Sequence, residues 1–486
     1  MFCTENTIGK PLARQYSIFF MGGLLVAASI GGVIPFFVGT IGDHTAHLIV
    51  LPALILLGFL LIFSRVLLLV LILLFRASGD VMMAATKFNL GGISIGVGGL
   101  INAFVLLIAL LLVVEKPGVF PKKMFSMWSF FLLTGLYGVM IAPSKSDAIR
   151  MYLGALSNFA VFVSSFYMVR SRDGFGFCAR LVLWSSVVPV AYALFDIFMH
   201  GGMGGLAGFR LKSTFAHPNI FAFYLTLVIS LSLYILKSGG SAFPAVKRSA
   251  LMIYMLVLLA LLLLTQTRSA WLACFALFFL YGYFFERRYL AYLILAPFLA
   301  LLIPSVQERL LDLGAGNEYV QYAKLNSFAW RLLMWETGLK WMQIGRYLLG
   351  YGGESFSYFS PVFFPLSGGK HMGAHSIYVQ LFFEAGFVGL SAFLWLFVRG
   401  ILYLRPMFVH DRLAGLTAVV LIIEYLMVSI SDNVLHYLVF NWYFWFIVGS
   451  AIAATSFYRE REGESDGLLL PASGRQGSIK SVIQHV

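Results

Sequence analysis

Long apolar runs recur along nearly the whole chain, and they constrain its fold more than any other feature. Of the 486 residues, 60% are hydrophobic and only 11% are charged, which is more apolar surface than a soluble domain can bury. The sequence therefore predicts an all-α, polytopic integral membrane protein with about 12–14 transmembrane helices, since a span needs about 17–25 apolar residues. The candidate spans are 17–39, 48–75, 93–114, 124–142, 151–169, 181–199, 219–236, 249–265, 270–285, 289–304, 377–403, 413–431 and 436–457.

The number of spans depends on the first hundred residues. The run 48–75 is interrupted by Arg65 and forms either one tilted helix or two shorter ones. Lys10 and Arg14 precede the first run without a clean small-residue cleavage site after it, so the first run is interpreted as an uncleaved span. Thirteen spans would leave these two cations outside, which favours splitting the 48–75 run.

Basic residues are concentrated in alternate loops from residue 170 onward. The positive-inside rule assigns such loops to the cytoplasm, and it accounts for the net charge of +13 without a nucleic-acid partner. The connections 200–218, 266–269, 305–375 and 432–435 then lie on the outer face. The basic residues that set this orientation are Arg170, Arg172, Arg180, Lys237, Lys247, Arg248, Arg287, Arg288, Arg405, Arg412, Arg459 and Arg461.

The same alternation divides the chain into four parts. Residues 1–304 contain the N-terminal transmembrane helices, and residues 305–375 form one large outer loop. Residues 376–457 contain the C-terminal transmembrane helices, and residues 458–486 form a polar cytoplasmic tail.

The large outer loop contains two patterned segments. In residues 326–345, one helical side carries Trp330, Leu333, Met334 and Trp341, and also Thr337. This pattern is typical of an interfacial helix on the outer surface or of an ordinary packing helix. The segment 348–359, "LLGYGGESFSYF", is rich in glycine and aromatic residues. It predicts a tight turn that approaches either a ligand or another backbone.

The outer loops carry cations that topology does not explain. Taken singly, each of Arg210, Lys212, Arg268 and Arg331 could snorkel at a helix end or pair with a carboxylate. Together they favour an anionic ligand, and the planar fork of arginine suits phosphate oxygens. His375 lies on the same outer face at the start of a hydrophobic span, either as a proton acceptor or as a structural, hydrogen-bonded histidine.

Four short segments follow one another around the large outer loop, within residues 205–400. They are "GFRLKSTFAHPNIFAFYL" (208–225), "TQTRSAWLA" (265–273), "RLLMWETGL" with "LLGYGGESF" (331–356) and "AHSIYVQLFFEAGFVGL" (374–390). In this order they resemble the motifs of the O-antigen ligase and polymerase family of bacterial membrane glycosyltransferases. The first 200 residues contribute only hydropathy to the resemblance.

The resemblance implies a GT-C-like, inverting glycosyltransferase that needs no metal and no other cofactor. The donor would be a glycan on undecaprenyl diphosphate, and the reaction would occur at the periplasmic face of the bacterial inner membrane. Arg210, Arg268 and Arg331 would hold the diphosphate, and His375 would take the proton from the acceptor hydroxyl.

Two further residues support the expected site, and a third position departs from the family pattern. Lys212 would support the arginines as an additional cation. Glu384 lies more than two helical turns into the span that follows His375, and it is interpreted as a structural partner for an arginine, since an unpaired carboxylate there is costly. Ser376 departs from the family pattern, because many members have Asn at this position.

Two activities within the family, and one outside it, compete as the function. A polymerase joins lipid-linked repeat units, whereas a ligase transfers the finished polymer to the lipopolysaccharide core; the stretch "STFAHPNIFAFYL" is more typical of exopolysaccharide polymerases. A transporter or flippase of lipid-linked glycans would usually show repeated halves or matching broken helices, which the sequence does not indicate. The expected partners are the undecaprenyl-diphosphate-linked oligosaccharide donor, a glycan or lipid-linked acceptor, membrane lipids and other polysaccharide assembly proteins.

Overall fold

The computed structural model describes most of the chain from residue 58 to residue 468. The run 17–39, the start of the run 48–75 and the end of the polar tail lie outside the described residues. Those residues are 58–85, 87–90, 93–171, 173–199, 210–238, 247–302, 304–311 and 325–468.

Helices make up nearly all of the described structure, and one short antiparallel hairpin connects the second helix to the third. The strands are β1 (Lys87–Leu90) and β2 (Ile93–Gly96). The helices are α1 (Arg65–Phe75), α2 (Asp80–Ala85), α3 (Val97–Glu115), α4 (Lys122–Ile141), α5 (Lys145–Met168), α6 (Gly174–Ser185), α7 (Val187–Met199), α8 (Pro218–Lys237), α9 (Arg248–Leu264), α10 (Arg268–Phe284), α11 (Arg288–Ala300), α12 (Pro304–Leu311), α13 (Ser327–Trp341), α14 (Ser355–Phe363), α15 (Ile377–His410), α16 (Arg412–Val428) and α17 (Leu438–Leu468).

The described helices include many that can cross a bilayer. Seven segments are long and apolar enough by length and composition: the single helices α3, α4, α5, α8, α15 and α17, and the α6–α7 pair taken together. Of four shorter apolar helices, α1, α9 and α10 pack against these segments, and α11 packs on α10. The prediction of an all-α, polytopic membrane protein is confirmed, and the total of about 12–14 spans stays a prediction because it includes runs outside the described residues.

Several element boundaries differ from the sequence prediction. Helix α1 begins at Arg65, directly after Ser64, whose φ of −157° and ψ of 81° are not helical, so the run 48–75 is interrupted there. Residues 93–96 form a strand before α3 begins. Helix α17 continues to Leu468, so the polar tail starts as a helix.

Helices α8 and α17 lie at the centre of the bundle. In each of them 94% of the apolar stretch is buried inside the protein, compared with 22% in α3. Helix α17 packs on α5, α6 and α15, and α8 packs on α9, α10 and α16. These two helices therefore position the loops that precede them, and those loops carry Arg210, His217 and Asp432.

The starts of α8, α10, α15 and α17 meet the ends of α1, α9 and α16 at one end of the bundle, called the site end. The N–H of Leu211 donates to the carbonyl of Leu264 (3.2 Å), and the N–H of Ile377 donates to the carbonyl of Ser429 (3.0 Å). The connections predicted to lie outside, as far as they are described, meet at this end.

The basic loops lie at the opposite end of the bundle, called the basic end. Lys237, the last residue of α8, pairs with Glu286 between α10 and α11 (2.5 Å). Near the end of α15, the hydroxyl of Tyr403 donates to the carbonyl of Lys123 at the start of α4 (3.2 Å). Both α8 and α15 start at the site end, so these contacts separate the basic loops from the site by the length of the bundle.

Candidate active site

His375 sits in a tight loop at the start of α15. Its φ of 51° lies in the left-handed region, which is uncommon for residues other than glycine. The indole N–H of Trp335 donates to the carbonyl of Ala374 (2.6 Å), and the N–H of Ile377 donates to the carbonyl of Ser429 (3.0 Å). Helices α13 and α16 thus hold the loop on both sides and stabilise this backbone conformation.

Asp432 is the carboxylate that faces His375. The Nδ1 atom of His375 lies 4.0 Å from Oδ1 of Asp432, an ion-pair distance that is longer than a hydrogen bond. The Tyr437 hydroxyl donates to Oδ1 (2.6 Å), and the side-chain amide of Asn219 donates to Oδ2. Burial of Asp432 opposes its ionisation, but His375, Tyr437 and Asn219 outweigh burial and lower its pKa. An ionised Asp432 therefore stands beside the imidazole at neutral pH.

Arg210 is fixed against the turn between α9 and α10. Its Nε donates to the carbonyl of Thr265 (3.2 Å), and one terminal nitrogen donates to the Thr267 hydroxyl (3.2 Å) and to Oδ1 of Asn219 (2.7 Å). Asn219 thus accepts from Arg210 with its oxygen and donates to Asp432 with its nitrogen. One side-chain amide connects the first candidate arginine to the carboxylate beside His375.

Arg268 and Arg331 bring two more positive charges to the site end. Arg268 is the first residue of α10, and its guanidinium donates to the hydroxyl of Ser327 at the start of α13 (3.3 Å). Burial lowers the pKa of Arg331; the proximity of Arg268 adds to this effect, and Asp432 opposes it. Like charges held this close favour an anion between them. In the described ranges, no group of three or more His, Cys, Asp or Glu side chains is arranged to hold a metal ion.

His217 is a second histidine at the same place. It is the N-cap of α8, and its Nδ1 accepts a hydrogen bond from the backbone N–H of Asn219 (3.1 Å). Burial lowers the pKa of His217, with Asp432 opposing and Arg210 and Arg331 adding to the decrease. The imidazole is therefore neutral at physiological pH.

Among the residues that the structure describes, none is the arginine partner expected for Glu384. Its Oε1 accepts from the side-chain amide of Gln380 (2.8 Å), and the carboxylate accepts from the backbone N–H groups of Glu354 and Phe356. These two N–H groups belong to the start of α14, where an anion is favoured by the orphan donors and the helix dipole. The interpretation of Glu384 as the partner of an arginine was wrong, because backbone N–H groups of a helix distant in sequence donate hydrogen bonds to its carboxylate.

Gln380 connects Glu384 to the loop of His375. Its Oε1 accepts from the backbone N–H of Ala374 (3.1 Å) and from the side-chain amide of Asn433. With its oxygen facing two donors and its nitrogen facing a carboxylate, the amide of Gln380 can adopt only one orientation. Glu384 therefore supports the His375 loop through Gln380.

Helix α15 is broken at Gly386, where φ is 63° and ψ is −160°. The backbone N–H of Phe387 donates instead to the carbonyl of Tyr347 (2.8 Å). A Cβ atom on Gly350 would lie 2.3 Å from the carbonyl carbon of Glu384. The glycine-rich segment therefore approaches another backbone, as one of its two interpretations predicted. Its carbonyl groups accept the backbone hydrogen bonds that the helix loses at the break.

Helix α13 packs on the protein with the side that the sequence analysis identified. Met334 is fully buried, and the ring of Trp341 stacks on that of Phe383 with 5.9 Å between centroids. Trp330 meets His375 edge to face at 5.8 Å. These are the contacts of a packing helix, and they make α13 one wall of the site.

The α1–α2 turn holds the loop that leads from Arg210 into α8. The Oδ2 atom of Asp80 accepts from the N–H of Ala216 (3.2 Å), and the Thr214 hydroxyl donates to the carbonyl of Ala77 (2.8 Å). Arg76 pairs with the other oxygen of Asp80 (3.2 Å). A part of the chain without any recognised motif thus contributes to the position of the site.

The structure brings four of the six predicted site residues to one place around Asp432. Lys212 is exposed on the neighbouring loop, and Glu384 reaches the site through Gln380. The four residues are Arg210, Arg268, Arg331 and His375.

Sequence reasoning missed three residues of this cluster: His217, Asn219 and Asp432. His217 and Asn219 belong to the His-Pro-Asn element of the segment 208–225, which served only to compare the chain with the family. Asp432 is the one carboxylate in the short outer connection 432–435. Such a residue between two apolar runs is a usable signal, since a charge at that position requires a partner.

The apolar helical bundle, with arginine and histidine side chains gathered at one end, is the structure of a multi-pass membrane protein. A family profile described as O-antigen ligase matches residues 253–394. This match confirms the resemblance to the O-antigen ligase and polymerase family, and it supports glycosyl processing of the ligase or polymerase type. Comparison with curated proteins finds no match. The matched range contains Arg268, Arg331 and His375, whereas Arg210 and Asp432 lie outside it.

Proposed function

We propose that the protein is a membrane glycosyltransferase that transfers a glycan from undecaprenyl diphosphate to an acceptor sugar hydroxyl at the periplasmic face of the inner membrane. It polymerises exopolysaccharide or O-antigen repeat units. The observation that carries this proposal is the meeting of a histidine–carboxylate pair with three arginines at the end of the bundle opposite the basic loops.

The arginines act on the leaving group. When the bond between the anomeric carbon and the diphosphate oxygen breaks, negative charge develops on that oxygen. Arg210, Arg268 and Arg331 stabilise this charge with donors that are already in place, so little reorganisation is needed. Undecaprenyl diphosphate then leaves with both electrons of the broken bond.

The histidine acts on the acceptor. The acceptor hydroxyl attacks the anomeric carbon from the opposite side, which inverts its configuration, and His375 takes the hydroxyl proton. Asp432, at 4.0 Å, orients the imidazole and stabilises the imidazolium that forms. The cations of the chain supply the charge stabilisation, so the proposed reaction uses no metal.

Purified His375→Ala and His375→Gln variants test the base. Both should bind the lipid diphosphate donor and keep their melting temperature, because the arginines remain. Turnover should fall by about 10²–10⁴-fold in both, since neither side chain can take up a proton. Full turnover of the Gln variant would assign His375 to orienting the acceptor, and unfolding of both variants would make it a structural residue.

A ligase is the second candidate, because the matching family profile is described as O-antigen ligase. Both activities use the same donor chemistry and differ in the acceptor. Lipid extracts of a deletion strain separate them: single repeat units on undecaprenyl diphosphate accumulate when a polymerase is lost, and long chains accumulate when a ligase is lost. Accumulation restricted to the inner leaflet would indicate a transporter instead.

A further inference from the structure

The cap of α8 fixes which nitrogen of His217 carries a proton. The Nδ1 atom accepts from the N–H of Asn219 at 3.1 Å, so in the neutral ring Nδ1 is unprotonated and Nε2 carries the hydrogen. Protonation of Nδ1 would place two N–H groups against each other at the positive end of the helix. The geometry of the cap therefore selects the neutral tautomer with a hydrogen on Nε2.

The surroundings of His217 leave that hydrogen available. The side chain is partly buried but still open to solvent at the site end, and within the described part of the chain Nε2 has no hydrogen-bond partner. The charged and titratable groups that act on it are Asp432, Arg210, His375 and Arg331. These are the groups of the site described above, so Nε2 belongs to the same anion-binding surface.

We propose that His217 binds the diphosphate of the donor as a neutral hydrogen-bond donor through Nε2, while His375 alone exchanges a proton during the reaction. This inference rests on the proposed function. A fourth cation among three arginines would add like-charge repulsion in the absence of substrate. A neutral N–H adds a directed contact to a phosphate oxygen without that repulsion.

Two substitutions separate the cap from the donor. In His217→Asn, the Oδ1 atom can replace Nδ1 as the helix cap, but no N–H reaches the position of Nε2. In His217→Gln, the longer amide can place an N–H near that position, but it caps the helix poorly. The Asn variant should therefore keep its melting temperature and lose affinity, whereas the Gln variant should lose melting temperature and keep affinity.

The measurement is binding of undecaprenyl diphosphate to the purified full-length protein by native mass spectrometry, with undecaprenyl phosphate as the control ligand and Arg268→Ala as the control variant. His217→Asn should weaken binding about tenfold or more, the usual effect of losing a hydrogen bond to a charged group. His217→Gln should stay within about threefold of the wild type.

The outcomes distinguish this inference from the proposed function. If Arg268→Ala loses binding but His217→Asn binds like the wild type, His217 is only a cap and the inference is overturned while the function survives. If the wild type prefers neither lipid and Arg268→Ala changes nothing, the diphosphate site itself is wrong, and both proposals fall together.

Discussion

Asp432 shows how strongly the site depends on a single buried charge. Only 1% of its side chain is exposed, yet its pKa is lowered, because the groups around it overcome the effect of burial. Removing one partner of such a buried, hydrogen-bonded charge usually costs about 1–3 kcal/mol or more. The residue therefore contributes to the stability of the site end as well as to the orientation of His375.

This contribution of Asp432 depends on pH in a direction that follows from its pKa. A carboxyl group with a lowered folded-state pKa stabilises the protein above its unfolded value of about 3.9 and loses this effect as the pH falls through the folded value. Asp432→Asn should therefore melt at a lower temperature than the wild type at pH 7, and the difference should shrink below about pH 4. Thermal unfolding in detergent from pH 3 to pH 8 measures it. A constant difference over this range would mean that the charge of Asp432 does not contribute.

The chemical types of the site residues could be predicted from the sequence, but their connections could not. Cations in outer loops, where the positive-inside rule does not place them, and a histidine at a span start predict a site for an anion and a base. Asn219 is hydrogen-bonded to both Arg210 and Asp432, and this requires separate parts of the chain to meet in space. No local pattern encodes such a meeting, and the same reason explains the wrong partner assigned to Glu384.

At the scale of elements, α15 departs most from its sequence pattern. The apolar run predicts one continuous span, and the structure has a long helix that is broken at Gly386. Apolar runs report length and hydropathy, whereas a break needs only one glycine in a conformation that other residues rarely adopt. The segment around Gly350 accepts the backbone hydrogen bonds that α15 loses at Gly386. The two glycine-containing segments therefore form one structural unit.

Gly350→Ala tests this unit. The added Cβ would lie 2.3 Å from the carbonyl carbon of Glu384, and the φ of 66° is strained for alanine, so the variant should lose about 1–3 kcal/mol or more of stability. Gly345→Ala is the matched control, because a Cβ there meets nothing within 4 Å. Its melting temperature should equal that of the wild type. If both variants melt alike, the close approach of the two backbones does not exist in the protein.

At the scale of the whole molecule, two independent patterns agree. The alternation of basic loops predicts which connections share a side of the membrane, and the helix contacts place the basic loops at one end and the candidate site at the other. Hydropathy and charge along the chain thus predict which loops lie at each end of the bundle, because the chain crosses the membrane in the opposite direction in each successive span. They do not predict which helices are central, since the peripheral helix α3 is more apolar than the buried helices α8 and α17.

The orientation of the bundle can be tested with two engineered cysteines in a chain whose native Cys3, Cys178 and Cys274 have been replaced. Lys370 is exposed in the large loop at the site end, and Lys247 is exposed at the start of α9 at the basic end. Because the positive-inside rule places the basic end in the cytoplasm, a membrane-impermeant thiol reagent applied to spheroplasts should label Lys370→Cys and leave Lys247→Cys unlabelled until the membrane is opened. The reverse pattern would place the site in the cytoplasm, where a periplasmic polymer could not be made. Equal labelling of both before opening would mean that the spheroplasts leak, which a cytoplasmic marker protein detects.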